Sequence, residues 1–301
     1  MLGKLTHHFF TTKAGEYLSY YQDGDVVNDK PRVLLIHGNA TRAMDWEEVV
    51  LQWQDTYHLL VPDLRGYGDS SYHNPATTLQ EIAADLMELV EALEWKDFAV
   101  IGWSLGGGVA VEFCRFVPER VTKLILTAAM GMVGYPMPAI DQEGIHFDRP
   151  LKTKEEVANS AYYLPTALAL DRQDEATLRA GIAGLFHRTT PSEKVIQRIL
   201  DSEYQQRNLL DMDYALLIYN STDAPNLSGF EGTGHLHDLK VPILLLHGKE
   251  DTVVSYKLAE QNQALFGETS KFVLFEDCGH ALHLENPEKW FEETERFLAE
   301  N

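Results

Sequence analysis

Residues 98–113 read Phe98-Ala99-Val100-Ile101-Gly102-Trp103-Ser104-Leu105-Gly106-Gly107-Gly108-Val109-Ala110-Val111-Glu112-Phe113. A short apolar run ends at a glycine, a serine follows two residues later, and the next segment has the composition of a helix. A strand that turns sharply into a helix holds the residue at its apex in a strained backbone conformation and projects its side chain from the turn. The residues two before and two after the apex must then be small, and both Gly102 and Gly106 are. The pattern G-x-S-x-G recurs by chance in proteins; its place between a strand and a helix gives it weight here. A serine hydroxyl so placed becomes a nucleophile only when a base takes its proton.

Outward from this turn, similar apolar runs recur. Val33-Leu34-Leu35-Ile36 stops at His37-Gly38, Leu59-Leu60-Val61 at Pro62-Asp63, and Leu124-Ile125-Leu126 near Thr127. Ile243-Leu244-Leu245-Leu246 stops at His247-Gly248, and Phe272-Val273-Leu274-Phe275 at Glu276-Asp277. Tyr17-Leu18-Ser19-Tyr20-Tyr21 reads as a further strand that ends at the turn Asp23-Gly24. Unbroken runs of this kind are what strands covered on both faces look like. Between them, Leu79, Ile82, Leu86, Leu89, Val90 and Leu93 recur at helical spacing behind a Thr78/Glu81 capping box. Trp290, Phe291, Phe297 and Leu298 share a helical face near the C-terminus. Strands alternating with helices predict an α/β fold, a mostly parallel central sheet flanked by helices. From about Gly134 to His235 the alternation stops, and a helical pattern without clear strands, rich in proline, takes over. The expected organisation is a core of residues 1–133 and 236–301, with 134–235 as a helical cap over the C-terminal edge of the sheet.

That edge is where a base for Ser104 must come from. Of the twelve histidines, His280 in Asp277-Cys278-Gly279-His280 follows the last apolar strand directly and is the best placed. His283 lies three residues further on, in a segment that reads as a helix start. His37 and His247 end strands before glycine and read as turn or packing residues. An imidazole base needs a carboxylate to fix its tautomer. Asp251, after the preceding strand, is the preferred partner because consecutive strands are usually neighbours; Glu250 and Asp277 compete with it. Cys278 reads as a buried, inert thiol.

Composition narrows the partners. The 301 residues carry 46 acidic and 25 basic side chains, a formal charge of −21. A field of that sign repels nucleic acid and anionic membrane surfaces. No apolar run approaches the ~18 residues of a membrane span, and the first residues lack a secretory signal's apolar stretch. Two cysteines, Cys114 and Cys278, make no disulfide framework. A cytoplasmic protein acting on a small molecule is expected. The sequence offers neither a metal-ligand spacing nor a dinucleotide motif, so neither metal nor cofactor is expected.

The order Ser104, Asp251, His280 is that of α/β-hydrolases, and the chain resembles that superfamily over nearly its whole length. Further matches are His37-Gly38-Asn39, Asp63-Leu64-Arg65-Gly66-Tyr67-Gly68-Asp69-Ser70, and Gly279-His280-Ala281-Leu282-His283-Leu284-Glu285-Asn286-Pro287. The resemblance is to the serine-nucleophile branch with a helical cap, including esterases and cofactor-free haloperoxidases. It implies an oxyanion hole from the backbone N–H groups of Asn39 and Leu105. The Asp63–Ser70 segment itself reads as a structural loop rather than a site, because its glycines permit backbone angles that other residues resist, with Arg65 free to pair with a nearby carboxylate. Haloalkane dehalogenases and epoxide hydrolases share the frame but attack with an aspartate, and residue 104 is serine. Asn39 resembles the halide-holding asparagine of dehalogenases, but Leu105 stands where their tryptophan would be.

A serine nucleophile implies an acyl substrate. The expected function is hydrolysis of small to medium carboxylic esters through an acyl-enzyme. Lactone hydrolysis, carbon–carbon hydrolysis and perhydrolysis use similar triads. A non-catalytic small-molecule receptor is the alternative from another class. Trp103, Met130 and Tyr135 are the expected substrate contacts, with Met132, Tyr162, Tyr163, Leu164, Leu185 and Phe186 as further possible lining.

Overall fold

The computed structural model describes residues 2–24 and 30–300. Its strands are β1 (Thr6–Thr11), β2 (Tyr17–Gln22), β3 (Arg32–Ile36), β4 (His58–Pro62), β5 (Phe98–Trp103), β6 (Val121–Thr127), β7 (Pro138–Asp141), β8 (Gly144–Pro150), β9 (Ile243–Gly248) and β10 (Ser270–Phe275). Eight of these form one sheet in the order β1-β2-β4-β3-β5-β6-β9-β10. β1 pairs with β2, and β2 with β4, antiparallel; the remaining pairs are parallel. Every residue of β4, β5 and β9 is buried, which is why the sequence shows them as unbroken apolar runs.

The helices are α1 (Glu47–Trp53), α2 (Leu79–Ala92), α3 (Leu105–Phe116), α4 (Lys154–Ala158), α5 (Leu164–Arg172), α6 (Glu175–Ala183), α7 (Glu193–Gln205), α8 (Leu209–Ile218), α9 (Tyr256–Phe266), α10 (Leu282–Glu285) and α11 (Pro287–Ala299). Side chains of a strand point alternately to its two faces, and the core divides accordingly. Leu34, Ile36, Leu60 and Val100 pack with Ile82, Leu86 and Leu89 of α2 and Val109 and Phe113 of α3. Val33, Leu35, Leu59, Val61 and Ile101 pack with Val49 and Trp53 of α1 and Trp290 and Phe297 of α11. The capping box of α2 forms as read, Glu81 N–H donating to the Thr78 hydroxyl and Thr78 N–H to the Glu81 carboxylate. Leu93, the last residue of the periodic pattern, lies just past the end of that helix.

The insertion departs from the sequence expectation at one point. Before α4 to α8 it opens with a hairpin, β7 against β8, in a stretch read as helical. Ile140, Ile145 and Phe147 are exposed, so neither strand shows the buried apolar run that marks β3 to β6. The turn uses Gly144 at φ +126°, a conformation open to glycine.

Helix α7 is fastened to the core. The guanidinium of Arg198, buried, contacts Asp45 at 3.2 Å, Glu47 at 2.8 Å and Glu48 at 2.8 Å. Arg42 reaches Gln205 at 2.6 Å. Burial pushes the Asp45 carboxyl up to about 6 although Arg198 and Ser202 oppose the shift. Removing one member of such a buried cluster typically costs ~3–5 kcal/mol, because the remaining charge is left unpaired. On the other side, the carboxylate that meets Arg65 is Asp85, at 2.6 and 2.5 Å. Asp63 accepts from the N–H groups of Ala43 and Asp69, so the Asp63–Ser70 segment is a structural loop. Among the described residues no helix is long and apolar enough to cross a membrane.

Candidate active site

Ser104 sits between β5 and α3 at φ +57°, ψ −121°, a strained conformation for a residue with a side chain. The turn is held by Ser104 N–H to Thr127 C=O at 3.0 Å and by Gly107 and Met130 N–H to Ser104 C=O. A Cβ on Gly102 would lie 2.4 Å from the Gly106 carbonyl oxygen, and one on Gly106 would lie 2.3 Å from that of His37. Both contacts are with backbone, so neither site can yield. The two glycines are therefore required by the close approach of three chain segments.

His280 follows β10, and Asp251 follows β9. The His280 ring nitrogen Nδ1 lies 2.7 Å from Asp251 Oδ2, while Asp251 Oδ1 accepts from Val253 and Val254 N–H at 2.8 Å each. A second imidazole joins them, which the sequence reading took for a packing residue. His247 Nε2 lies 3.2 Å from the same Oδ2 and 2.8 Å from Val254 C=O. Burial opposes ionisation of Asp251, but the charge of protonated His280 and the hydrogen bonds from both histidines outweigh it. The carboxyl is held well below the usual carboxylate range. Of the rival carboxylates, Asp277 faces His187 instead, and Glu250 is exposed, its N–H bonded to Cys278 C=O.

The loop bearing His280 is tied on three sides. His280 and Ala281 N–H donate to Leu185 C=O at 2.8 and 3.1 Å. The Glu285 carboxylate accepts from Gly279, His187 and Arg188 N–H at 2.5, 2.6 and 2.6 Å. The Trp103 indole N–H donates to His280 C=O at 3.1 Å. Trp103, expected as a substrate contact, is almost wholly buried, holds the histidine loop through this bond and also lines a cavity that Ser104 opens onto.

Ser104 opens onto two cavities. One, of about 210 Å³, is lined by Ser104, Asn39, Leu105, Met130, Tyr135, Met137, Tyr162, Asp213 and Leu216. The other, of about 180 Å³, is lined by Ser104, Asn39, Trp103, His280, Ile182, Leu185, Ile199 and Glu203. Met130 and Tyr135 are therefore in place, and Tyr162 and Leu185 join them. Met132, Tyr163, Leu164 and Phe186 line neither. Among the described residues no hydrogen bond joins Ser104 to His280. Such contacts are often long in a free enzyme and shorten when substrate arrives.

The segment His37-Gly38-Asn39 lies against the serine turn: a Cβ on Gly38 would stand 3.0 Å from Ser104 Cβ. Among the hydrogen bonds of the described residues, the Asn39 and Leu105 N–H groups have no protein acceptor. The Asn39 side chain is locked: Nδ2 donates to Asp213 Oδ1 at 3.1 Å, and Oδ1 accepts from Tyr67 and Gln206 at 2.8 Å each.

Two cavity carboxyls escaped the sequence reading. Burial pushes Asp213 up to about 7; burial, and then the charge of Asp45, push Glu203 up to about 8. Both sit among other acids on helices of the insertion, and nothing in the sequence separates them from Asp201 or Asp211. The ligand atoms of Asp141, Glu143 and His146 also come within 4.8 Å of one another. That turn is exposed, and His146 and Arg149 already pair with Asp141.

Two histidines beside the site are buried and neutral. His37 takes Leu64 N–H on Nε2 and contacts Gly38 C=O through Nδ1, so its proton sits on Nδ1. His283 packs between Trp46 and Trp103 at centroid distances of 4.9 and 4.7 Å, with both ring nitrogens unpartnered. Burial pushes them down to about 4 and about 3. Below an unfolded pKa of ~6.5 the unfolded chain binds protons that the folded chain refuses. The share of stability carried by each histidine is therefore expected to fall as pH drops from ~6.5 towards 4, by up to ~1.4 kcal/mol per pH unit, while the raised Asp45, Asp213 and Glu203 carboxyls act in the opposite sense. Urea denaturation across this range checks it. As pH falls through this range His283→Leu should gain stability relative to wild type; a difference between the two that does not change with pH contradicts the assignment.

Comparison with known proteins follows the same frame. A family model described as the alpha/beta hydrolase fold matches residues 31–287. The chain is 26% identical to the pimeloyl-[acyl-carrier protein] methyl ester esterase of Vibrio vulnificus, covering 86% of this chain and 91% of the relative. It is 27% identical to a non-heme chloroperoxidase of Streptomyces lividans, over 92% of this chain and 94% of that one. Among solved structures, an esterase from Exiguobacterium antarcticum superposes with a TM-score of 0.75 at 20% identity, covering 98% of this chain and all of the other.

Proposed function

The chain belongs to the α/β-hydrolase family, and from that premise we propose that it is a serine esterase acting on small to medium carboxylic esters. The observation that carries this reading is the strained Ser104, opening onto the same cavity as a His280 ring held 2.7 Å from Asp251. His280 Nδ1 keeps its proton for Asp251, which leaves Nε2 free to take the Ser104 proton. The Ser104 oxygen then adds to the ester carbonyl. The carbonyl oxygen, now negative, lies between the N–H groups of Asn39 and Leu105; each fixed donor in such a hole typically contributes ~3–4 kcal/mol. As the tetrahedral species collapses, the C–O bond breaks and His280 protonates the leaving alcohol. Water, deprotonated by the same ring, releases the acid and restores Ser104.

A series of p-nitrophenyl esters from acetate to octanoate tests the reading. Stopped-flow traces are expected to show a burst of one p-nitrophenolate per chain where deacylation limits turnover. Absence of hydrolysis across the series counts against an esterase. The relative named a non-heme chloroperoxidase supports a second use of the same acyl-enzyme: attack by hydrogen peroxide in place of water gives a peracid and free Ser104. Adding peroxide, bromide and monochlorodimedone to the assay would reveal it: the peracid oxidises bromide to hypobromous acid, which brominates the dione.

A further inference from the structure

The leaving alcohol must lie within reach of the imidazole that protonates it, so on the serine-esterase reading the cavity that contains His280 holds the alcohol portion. The other, lined by Met130, Tyr135 and Tyr162, then holds the acyl chain. The alcohol cavity, about 180 Å³, has room for roughly six groups at the ~30 Å³ that a water takes in the liquid. Ile182, Leu185 and Ile199 give it an apolar wall, and Glu203 is the acidic residue on its lining. Its Oε2 is enclosed and has no partner, and a buried polar group left unpaired is costly unless a ligand satisfies it.

Glu203 is held in place by its helix. Ser202 beside it donates to Asp45 at 2.7 Å, Arg198 one turn back is fixed on Asp45, Glu47 and Glu48, and Arg42 bonds Gln205 two residues on. The charged group beside it is Asp45, whose charge is met by Arg198 and Arg42, and the titratable ring of His280 lines the same cavity. Among the described residues Glu203 itself forms no ion pair. We propose that Glu203 is a specificity-determining hydrogen-bond donor for an oxygen in the alcohol portion, so that the protein selects esters of ether- or hydroxyl-bearing alcohols over esters of plain alkyl alcohols.

Burial and the nearby Asp45 charge push Glu203 up to about 8, so the donor is present at neutral pH and lost above it. The test compares kcat/KM for 2-methoxyethyl and 3-methoxypropyl butanoate with butyl and pentyl butanoate, which have the same length. The ratio cancels the titration of His280, which serves both esters. Wild-type protein is expected to favour the ether esters about tenfold at pH 7, the scale of one buried hydrogen bond, and to lose the preference above pH 8. Glu203→Gln, whose amide also donates, should keep the preference and make it independent of pH. Glu203→Leu should abolish it. A wild-type ratio near one, a preference that rises with pH, or a Glu203→Gln that behaves as Glu203→Leu overturns the proposal. Fluorophosphonate labelling separates the two levels. Protein labelled at Ser104 but with a ratio of one sinks the Glu203 inference alone; protein that neither labels nor hydrolyses sinks the esterase reading beneath it.

Discussion

Ser104→Ala is expected to lower kcat by on the order of 10⁴–10⁶, the scale of losing a triad member, while leaving the fold intact. The main-chain bonds that hold the turn, to Thr127, Gly107 and Met130, use backbone atoms alone. Alanine carries the same Cβ through the φ +57° conformation, so no new strain enters. What disappears is the only group that can form the acyl-enzyme. The residual rate should be that of an ester held in the cavity with its carbonyl against Asn39 and Leu105. Circular dichroism and thermal melting should match wild type. A variant that folds and retains more than about a hundredth of the rate would contradict Ser104 as nucleophile.

The second large effect is expected of Asp251→Asn. The amide can keep its oxygen on the Val253 and Val254 N–H groups, and its NH₂ then faces His280 Nδ1. The imidazole would be driven to the tautomer with its proton on Nε2, where it can no longer take the serine proton. A loss of about 10⁴ in kcat follows, as when the equivalent aspartate is replaced in other triads, with binding of a non-hydrolysable substrate analogue little affected. His247 makes the outcome informative. It touches the same oxygen, so a loss smaller than tenfold would mean that the carboxylate serves His247 and the fold rather than His280.

Much of this frame was legible because the sheet is covered on both faces. Burial of β4, β5 and β9 writes itself into the sequence as unbroken apolar runs, and the glycines at 102 and 106 are forced by backbone contacts that the strand-to-helix turn implies. Ser104, Asp251 and His280 could be read from their places after strands. The β7–β8 hairpin could not, because its outward residues are exposed and it leaves no apolar signature. Asp213 and Glu203 escaped for a related reason. They lie on helices of the insertion among ordinary surface acids, and only packing against the core leaves them half-buried. His247 looked like any strand-end histidine; its contact with Asp251 depends on how the chain bends back after β9. Trp103 stands next to the serine in the chain, but the bond from its indole N–H to His280 C=O depends on how the loop after β10 folds back over the turn.

On the proposed mechanism His280, oriented by Asp251, activates Ser104. Reaction of the intact protein with a fluorophosphonate, followed by peptide mass spectrometry, tests it most directly. One adduct per chain on the peptide containing Ser104 is predicted, absent from Ser104→Ala and slowed by several orders of magnitude in His280→Ala. Ester hydrolysis by protein in which Ser104 stays unmodified, or labelling as fast in His280→Ala as in wild type, would contradict it.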